Sequence, residues 1–155
     1  MKNVLLVMAS TDASDEAIEY AVSLAQKNSA GVSAVYLLHT GPVREAFDAF
    51  TDTGFIGDKP SSEVSESLMR AYRQRGYEEL GRVQIKAMEA GVEFEPLLEE
   101  GELQSRVLEF IERRGAIAVV LVKKKGRLAG YFSKSPVEEL KKRTSIEVTV
   151  FETEY

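Results

Sequence analysis

The sequence contains no cysteine and no tryptophan, and it has a single histidine, His39. The lack of cysteine excludes disulfides, thiolate nucleophiles and thiolate metal sites, and it suits a reducing compartment. A lone histidine cannot form a metal cluster, so we interpret His39 as structural or incidental. We also find no persuasive pair of aromatic residues to sandwich a flavin ring. The sequence therefore gives little support to a flavodoxin-like flavin-binding protein.

Basic residues are not in excess, because 20 Lys and Arg stand against 25 Asp and Glu, which gives a formal net charge of -5. This balance gives no reason to expect binding to nucleic acid or to anionic lipid. The apolar run near the N-terminus ends after Met8, so we expect neither a signal peptide nor a membrane span. We expect a cytoplasmic protein that folds as a single domain over residues 1–155.

The most informative stretch is the uninterrupted apolar run 117–122, which leads into the basic, glycine-containing segment 123–130. Six consecutive apolar residues predict a central parallel strand that is buried on both faces. In open parallel sheets, ligands bind in the crevice beyond the carboxyl ends of the strands. A ligand site is therefore expected where this strand meets the basic segment.

Strand and helix patterns alternate along the rest of the chain. Further strands are predicted at 4–8 and 32–38, at 92–98, where apolar residues alternate, and at 146–151. Helical spacing predicts helices at about 14–27, 62–90, 103–114 and 135–143. This alternation predicts an α/β fold with an open, mainly parallel five-stranded sheet and helices on both faces. Pro96 places its strand at an edge, because proline cannot donate to a sheet ladder.

Two long segments lie between these strands. Residues 41–60 contain scattered Gly, Pro and aromatic residues and predict a loop excursion, with a short helix possible at 43–50. In the predicted helix 62–90, Gly76 and Gly81 should each cost about 1 kcal/mol relative to alanine. Its inward-facing positions are predicted to be Leu68, Tyr72, Leu80, Val83, Ala87 and Met88.

The first loop, 10–14, carries three hydroxyl residues and Asp12. Asp12 or Ser14 can cap the first helix by accepting a hydrogen bond from a free backbone amide. The hydroxyl groups, Thr11 among them, can bind an anion, or the segment can be a plain connection.

Several of these sequence segments resemble those of the universal stress protein family. Residues 11–14 resemble the Asp-bearing first loop of the family, shifted by about one residue. Gly101 with Val107 and Leu108 fits the opening of a main helix, and 119–122 fits the apolar strand that follows. The resemblance covers essentially the whole chain, and it implies a Rossmann-like sheet of the adenine nucleotide alpha hydrolase type.

The resemblance also implies a non-catalytic regulatory protein in stress response that binds ATP or AMP, with magnesium, at an altered site. The candidate nucleotide-binding residues are Thr11, Asp12, Lys123, Gly126 and Ser135. Asp12 corresponds to the family residue that positions a ribose or a magnesium ion. In the family motif G-x2-G-x9-G-(S/T), Lys123 replaces the first glycine, Gly126 matches the second, and Ser135 falls near the last Ser/Thr. Lys123 then either blocks or repurposes the phosphate site, while Ser135 can equally cap the helix that begins with Pro136.

Members of this family commonly dimerise through the last strand, so we expect a homodimer through 146–151, together with an unidentified protein partner. The sequence shows no nucleophile–base–acid set, and we therefore do not expect an enzyme. The alternative is an interaction module that is dimeric and independent of nucleotide. In that case the strand edge and the 41–60 segment carry the function.

Overall fold

The computed structural model describes residues 2–9, 11–39, 58–124 and 136–153. Strands and helices alternate, as the sequence predicts. The strands are β1 (Asn3–Ala9), β2 (Gly31–His39), β3 (Phe94–Gly101), β4 (Ala116–Lys124) and β5 (Glu147–Thr153). The helices are α1 (Asp15–Lys27), α2 (Asp58–Glu89), α3 (Leu103–Arg114) and α4 (Pro136–Arg143). The last residues of the excursion predicted at 41–60 belong to α2, which begins at Asp58. Residues 40–57 lie outside the described residues, and so does the short helix considered at 43–50.

The five strands form one sheet in the order β3-β2-β1-β4-β5, and every pair of neighbours is parallel. This confirms the predicted fold class. The apolar run 117–122 lies in β4, between β1 and β5, so it is an internal strand, although the middle of the sheet is β1. The strand containing Pro96 is at an edge, as predicted.

Each face of the sheet is covered by two helices, because side chains along a strand alternate between the faces. On one face, Val120 and Val122 of β4 pack with the apolar sides of α1 and α2. On the other face, Val119 and Leu121 pack with α3 and with Leu140 of α4. All four β4 side chains are fully buried, which confirms that this strand is covered on both sides.

The inward face of α2 is only partly as predicted. Leu80, Val83 and Ala87 are buried against the sheet. The predictions for Leu68 and Met88 are wrong, because these side chains are 40% and 70% exposed. At 3.6 residues per turn, Leu68 lies about a third of a turn out of phase with Leu80, and Met88 is rotated by about 100° from Ala87. The sixth predicted position, Tyr72, is partly buried.

The ends of the helices follow from local sequence. Ser14, and not Asp12, caps α1: the Ser14 Oγ accepts a hydrogen bond from the Ala17 amide at 3.1 Å. Helix α3 ends at Gly115, which has φ of 61° and is left-handed, a conformation that glycine adopts without steric cost. The capping by Ser14 leaves the carboxylate of Asp12 available for another role.

Candidate functional site

The winding of the sheet changes direction between β1 and β4. From β1 the chain adds β2 and then β3 toward one edge, and it then returns to place β4 on the other side of β1. Both strands are parallel, so their carboxyl ends open at the same side of the sheet, with Thr11 and Asp12 just beyond β1 and Lys123 near the end of β4. This is the place where open α/β sheets bind ligands.

Thr11 and Lys123 are brought together by a residue that the sequence did not single out. The Thr153 hydroxyl, at the end of β5, lies 3.0 Å from the Thr11 hydroxyl and donates to the Lys123 carbonyl oxygen at 3.4 Å. Because Thr153 has only one hydroxyl hydrogen, Thr11 must be the donor of the shorter bond. The Lys123 ammonium forms a loose ion pair with Glu152 at 3.8 Å.

Asp12 is held by an arginine from α2. Arg75 donates from Nε to Asp12 Oδ1 at 2.8 Å, and its Nη2 donates to Asp12 Oδ2. This paired arrangement fixes the orientation of the carboxylate. The hydrogen bond from Arg75 lowers the pKa of Asp12 below its ordinary value, so the carboxylate is ionised throughout the neutral range.

A second arginine of α2 holds the next part of the same loop. Arg82 donates to the Ala13 carbonyl oxygen at 3.1 Å, to Asp15 Oδ1 at 2.7 Å and to Glu79 Oε2 at 2.7 Å. Arg75 and Arg82 together fasten the β1–α1 loop to α2 by side-chain contacts from residues far away in the sequence.

Glu79 and Tyr36 lie beside this pair of arginines. Glu79 is only 6% exposed. Its burial, followed by the nearby negative charge of Asp12, raises the pKa of the Glu79 carboxyl, and Arg82 offsets only part of that shift. Burial also raises the pKa of Tyr36 to about 12, so its phenol is neutral. The region therefore combines an ionised, partly exposed Asp12 with a buried acid whose charged form is disfavoured.

The structure places some predicted site residues and not others. Thr11, Asp12 and Lys123 are described and lie near the carboxyl ends of β1 and β4, whereas Gly126 and Ser135 lie outside the described residues. Sequence reasoning missed Arg75, Glu79 and Thr153. Of these three, only Thr153 could have been found from the sequence, because it lies two residues beyond the last predicted strand and so near the carboxyl end of the sheet.

Across the part of the chain that the structure describes, no three histidine, aspartate or glutamate side chains gather closely enough to hold a metal ion. Within the same ranges, no helix is both long enough and apolar enough to cross a lipid bilayer.

The arrangement of strands and helices is similar to that of several solved structures. The universal stress protein UspA from Lactobacillus plantarum superposes with a TM-score of 0.70 at 15% identity, with 97% of each chain covered. A universal stress protein in complex with cAMP gives a TM-score of 0.58 at 16% identity, covering 98% of this chain and 97% of the other. The universal stress protein from Archaeoglobus fulgidus in complex with dAMP gives 0.54 at 19%, covering 95% and 96%. At these identities the similarity shows the fold.

The sequence itself is similar to a universal stress protein of Methanocaldococcus jannaschii, with 26% identity over 120 residues. The match covers 77% of this chain and 63% of the relative, so it spans less than two thirds of the relative's length. The model of the universal stress protein family matches residues 1–152, nearly the full length of the sequence. The chain therefore belongs to the universal stress protein family.

Proposed function

We propose that this chain is a non-catalytic regulatory protein of the stress response that binds an adenine nucleotide, AMP or ATP, between the carboxyl ends of β1 and β4. The observation that carries the proposal is the position of Asp12, an ionised carboxylate held in a fixed orientation at the point where the winding of the sheet reverses. The complexes of other family members with cAMP and dAMP support the choice of an adenine nucleotide.

Asp12 has acceptor capacity left for a ribose hydroxyl. A carboxylate offers about four lone-pair sites, and Arg75 uses two of them. The Asp12 side chain is 35% exposed, so a ligand can reach it. We assign Arg75 the role of a positioning residue, which keeps Asp12 ionised and aimed while the ligand uses the remaining lone pairs.

Lys123 is the candidate for the phosphate end of the ligand. Its ion pair with Glu152 is long, at 3.8 Å, and both side chains are partly exposed. Exposed ion pairs of this kind contribute little to stability, so a phosphate can replace Glu152 at low cost. In this proposal Lys123 repurposes the phosphate site and does not block it. Magnesium would accompany ATP and reduce the repulsion between its phosphates and the acidic groups nearby.

The absence of turnover is part of the proposal, and it rests on the lack of a nucleophile–base–acid set in the sequence. We further propose a cytoplasmic location and a homodimer formed through β5. Strand β5 is an edge strand, and Val150 and Phe151 are only partly buried, so an added strand would cover them. These edge features favour a second candidate function, a dimeric interaction module that is independent of nucleotide.

Calorimetry with AMP and with ATP, each with and without magnesium, on nucleotide-stripped protein tests the first candidate. We expect binding in the wild type and its loss in Asp12→Asn. Glu19→Gln is the matched control, because Glu19 is also a carboxylate paired with a basic residue of α2, Lys86, but lies on α1 beyond the β1–α1 loop and is largely exposed. No binding at millimolar nucleotide would overturn the nucleotide proposal and favour the interaction module. Release of phosphate or AMP from ATP would overturn the proposed lack of turnover.

The homodimer is tested separately by light scattering on the wild type and on Val150→Lys. A dimer that Val150→Lys converts to monomer supports pairing through β5. A wild-type monomer, or a dimer unaffected by this variant, would contradict it.

A further inference from the structure

The outer face of α2 carries an exposed apolar stripe. Among the described residues, the three most exposed large hydrophobic side chains are Tyr77 at 64%, Ile85 at 58% and Met88 at 70%. All three lie on α2, at spacings that place them on one side of the helix, away from Leu80 and Val83, which face the sheet. Scattered exposed apolar residues are common, but a stripe on one face of one helix indicates a contact surface.

Gly81 lies at the centre of this stripe, and no contact among the described residues explains it. A Cβ added to Gly81 would have no atom within 4 Å, whereas one added to Gly76 would meet Tyr36 and Leu98. Gly76 is therefore explained by packing inside the protomer, and Gly81 is not. A glycine in a helix interior costs about 1 kcal/mol relative to alanine, and it allows another backbone to approach closely.

The stripe is self-complementary about Gly81. Tyr77 and Ile85 stand four residues before and after it, and the oppositely charged Arg73 and Glu89 stand eight residues before and after it. In an antiparallel pair of α2 helices that cross at Gly81, each residue comes to the height of its counterpart in the other copy. Tyr77 then packs beside Ile85 of the second copy, and the N-terminal, basic end of the stripe lies along the C-terminal, acidic end. A two-fold interface requires a surface that matches itself in this way.

We propose that the outer face of α2 is a self-association surface, through which a second copy of this chain packs its own α2 antiparallel, with the two helices crossing at Gly81. Arg73 has only a weak contact inside the protomer, a 3.6 Å ion pair with Glu100 in which both side chains are about half exposed. It is therefore free to face Glu89 of the second copy at the rim. This surface is separate from the β5 edge and does not depend on nucleotide binding.

Cysteine trapping tests this pairing cleanly, because the natural sequence has no cysteine. Tyr77→Cys and Ile85→Cys proteins are mixed under mild oxidation and compared with each protein alone. The mixture should form a disulfide-linked dimer faster than either protein alone. In the antiparallel pair, each position lies level with the other position of the second copy but about 12 Å along the helix axis from the same position of the second copy. A mixture of Tyr77→Cys with Glu112→Cys is the collision control, since Glu112 is exposed on α3, across the sheet.

Light scattering across a range of protein concentrations gives the second measurement. Gly81→Lys introduces a better helix former but places two like charges at the crossing point, so it should abolish the α2-mediated dimer without weakening the helix. Glu112→Lys is the matched control and should leave that dimer intact. A wild-type monomer at high concentration would overturn the proposal, and so would trapping no faster than the control. With both interfaces present, the wild type should form species larger than a dimer, and Gly81→Lys should reduce them to the β5 dimer. A wild type that forms nothing larger than a dimer, which survives Gly81→Lys and is lost in Val150→Lys, would assign self-association to β5 alone and overturn the α2 proposal.

Discussion

The contrast between the two glycines of α2 gives the sharpest prediction about stability. Alanine gains about 1 kcal/mol over glycine in a helix interior, and this gain applies at both positions. At Gly81 nothing opposes it, because the new methyl group enters open space. We expect Gly81→Ala to stabilise the protomer by up to about 1 kcal/mol.

At Gly76 the same methyl group would lie 2.6 Å from Leu98 Cδ1 and 2.8 Å from Tyr36 Cδ1. Leu98 Cδ1 ends a flexible side chain and can move. The Tyr36 ring is fully buried and cannot, so α2 must shift away from the sheet. Overpacking of this kind costs about 1–3 kcal/mol, which outweighs the gain in helix propensity or cancels it.

The two variants are compared by urea unfolding followed by circular dichroism, at a protein concentration low enough to exclude association. When one variant's free energy of unfolding is subtracted from the other's, the gain in helix propensity that both share cancels. The remainder is the overpacking cost of about 1–3 kcal/mol, which corresponds to about 1 M in the urea midpoint. Equal midpoints would refute the reasoning. The assignment to Tyr36 is tested by comparing Gly76→Ala with Leu98→Ala to Leu98→Ala alone. The cost of Gly76→Ala should remain in this background, and its disappearance would show that Leu98 was the obstacle.

Three further predictions concern the loop that α2 holds. The pKa of the Glu79 carboxyl is raised above 4.5 in the folded protein, so wild-type stability should fall as the pH rises through that raised pKa. In urea melts between pH 4.5 and 7, Glu79→Gln should therefore gain stability relative to wild type. A pH-independent difference between the two proteins would contradict this. The lowered pKa of Asp12 acts oppositely: the stability from its pair with Arg75 is present above pH 3.8 and lost as pH falls through the lowered pKa. Asp12→Asn should therefore be less stable than wild type at neutral pH and approach it in acid, and a constant gap would argue against the pair. Thr153→Val should cost about 1–3 kcal/mol, because the buried Thr11 hydroxyl loses its acceptor, and a neutral effect in thermal melts would show that Thr11 finds another partner.

The internal strands could be predicted from the sequence because burial on both faces leaves a local signal. The run 117–122 has no polar interruption, and this indicated a strand covered on both faces. Thr11, Asp12 and Lys123 followed from their positions next to strands. Long-range partners leave no such signal: Arg75 and Asp12 are 63 residues apart, and the spacing that would bring them together depends on how α2 docks. The same limit explains the wrong prediction for Met88, which lies on a surface apolar stripe that resembles a core face in the sequence.

The contacts from α2 change how the first loop should be understood. The loop contains no glycine, and as an isolated segment its hydroxyl and carboxylate groups would sample many orientations. Arg75 fixes the Asp12 side chain, and Arg82 fixes the Ala13 carbonyl and Asp15. Folding has thus already ordered these groups, so a ligand that contacts Asp12 does not have to supply the free energy of ordering the loop. In the proposed function, the ribose end of the site is held by the scaffold through Asp12, and this rigid end would set the position in which Lys123 meets the phosphate.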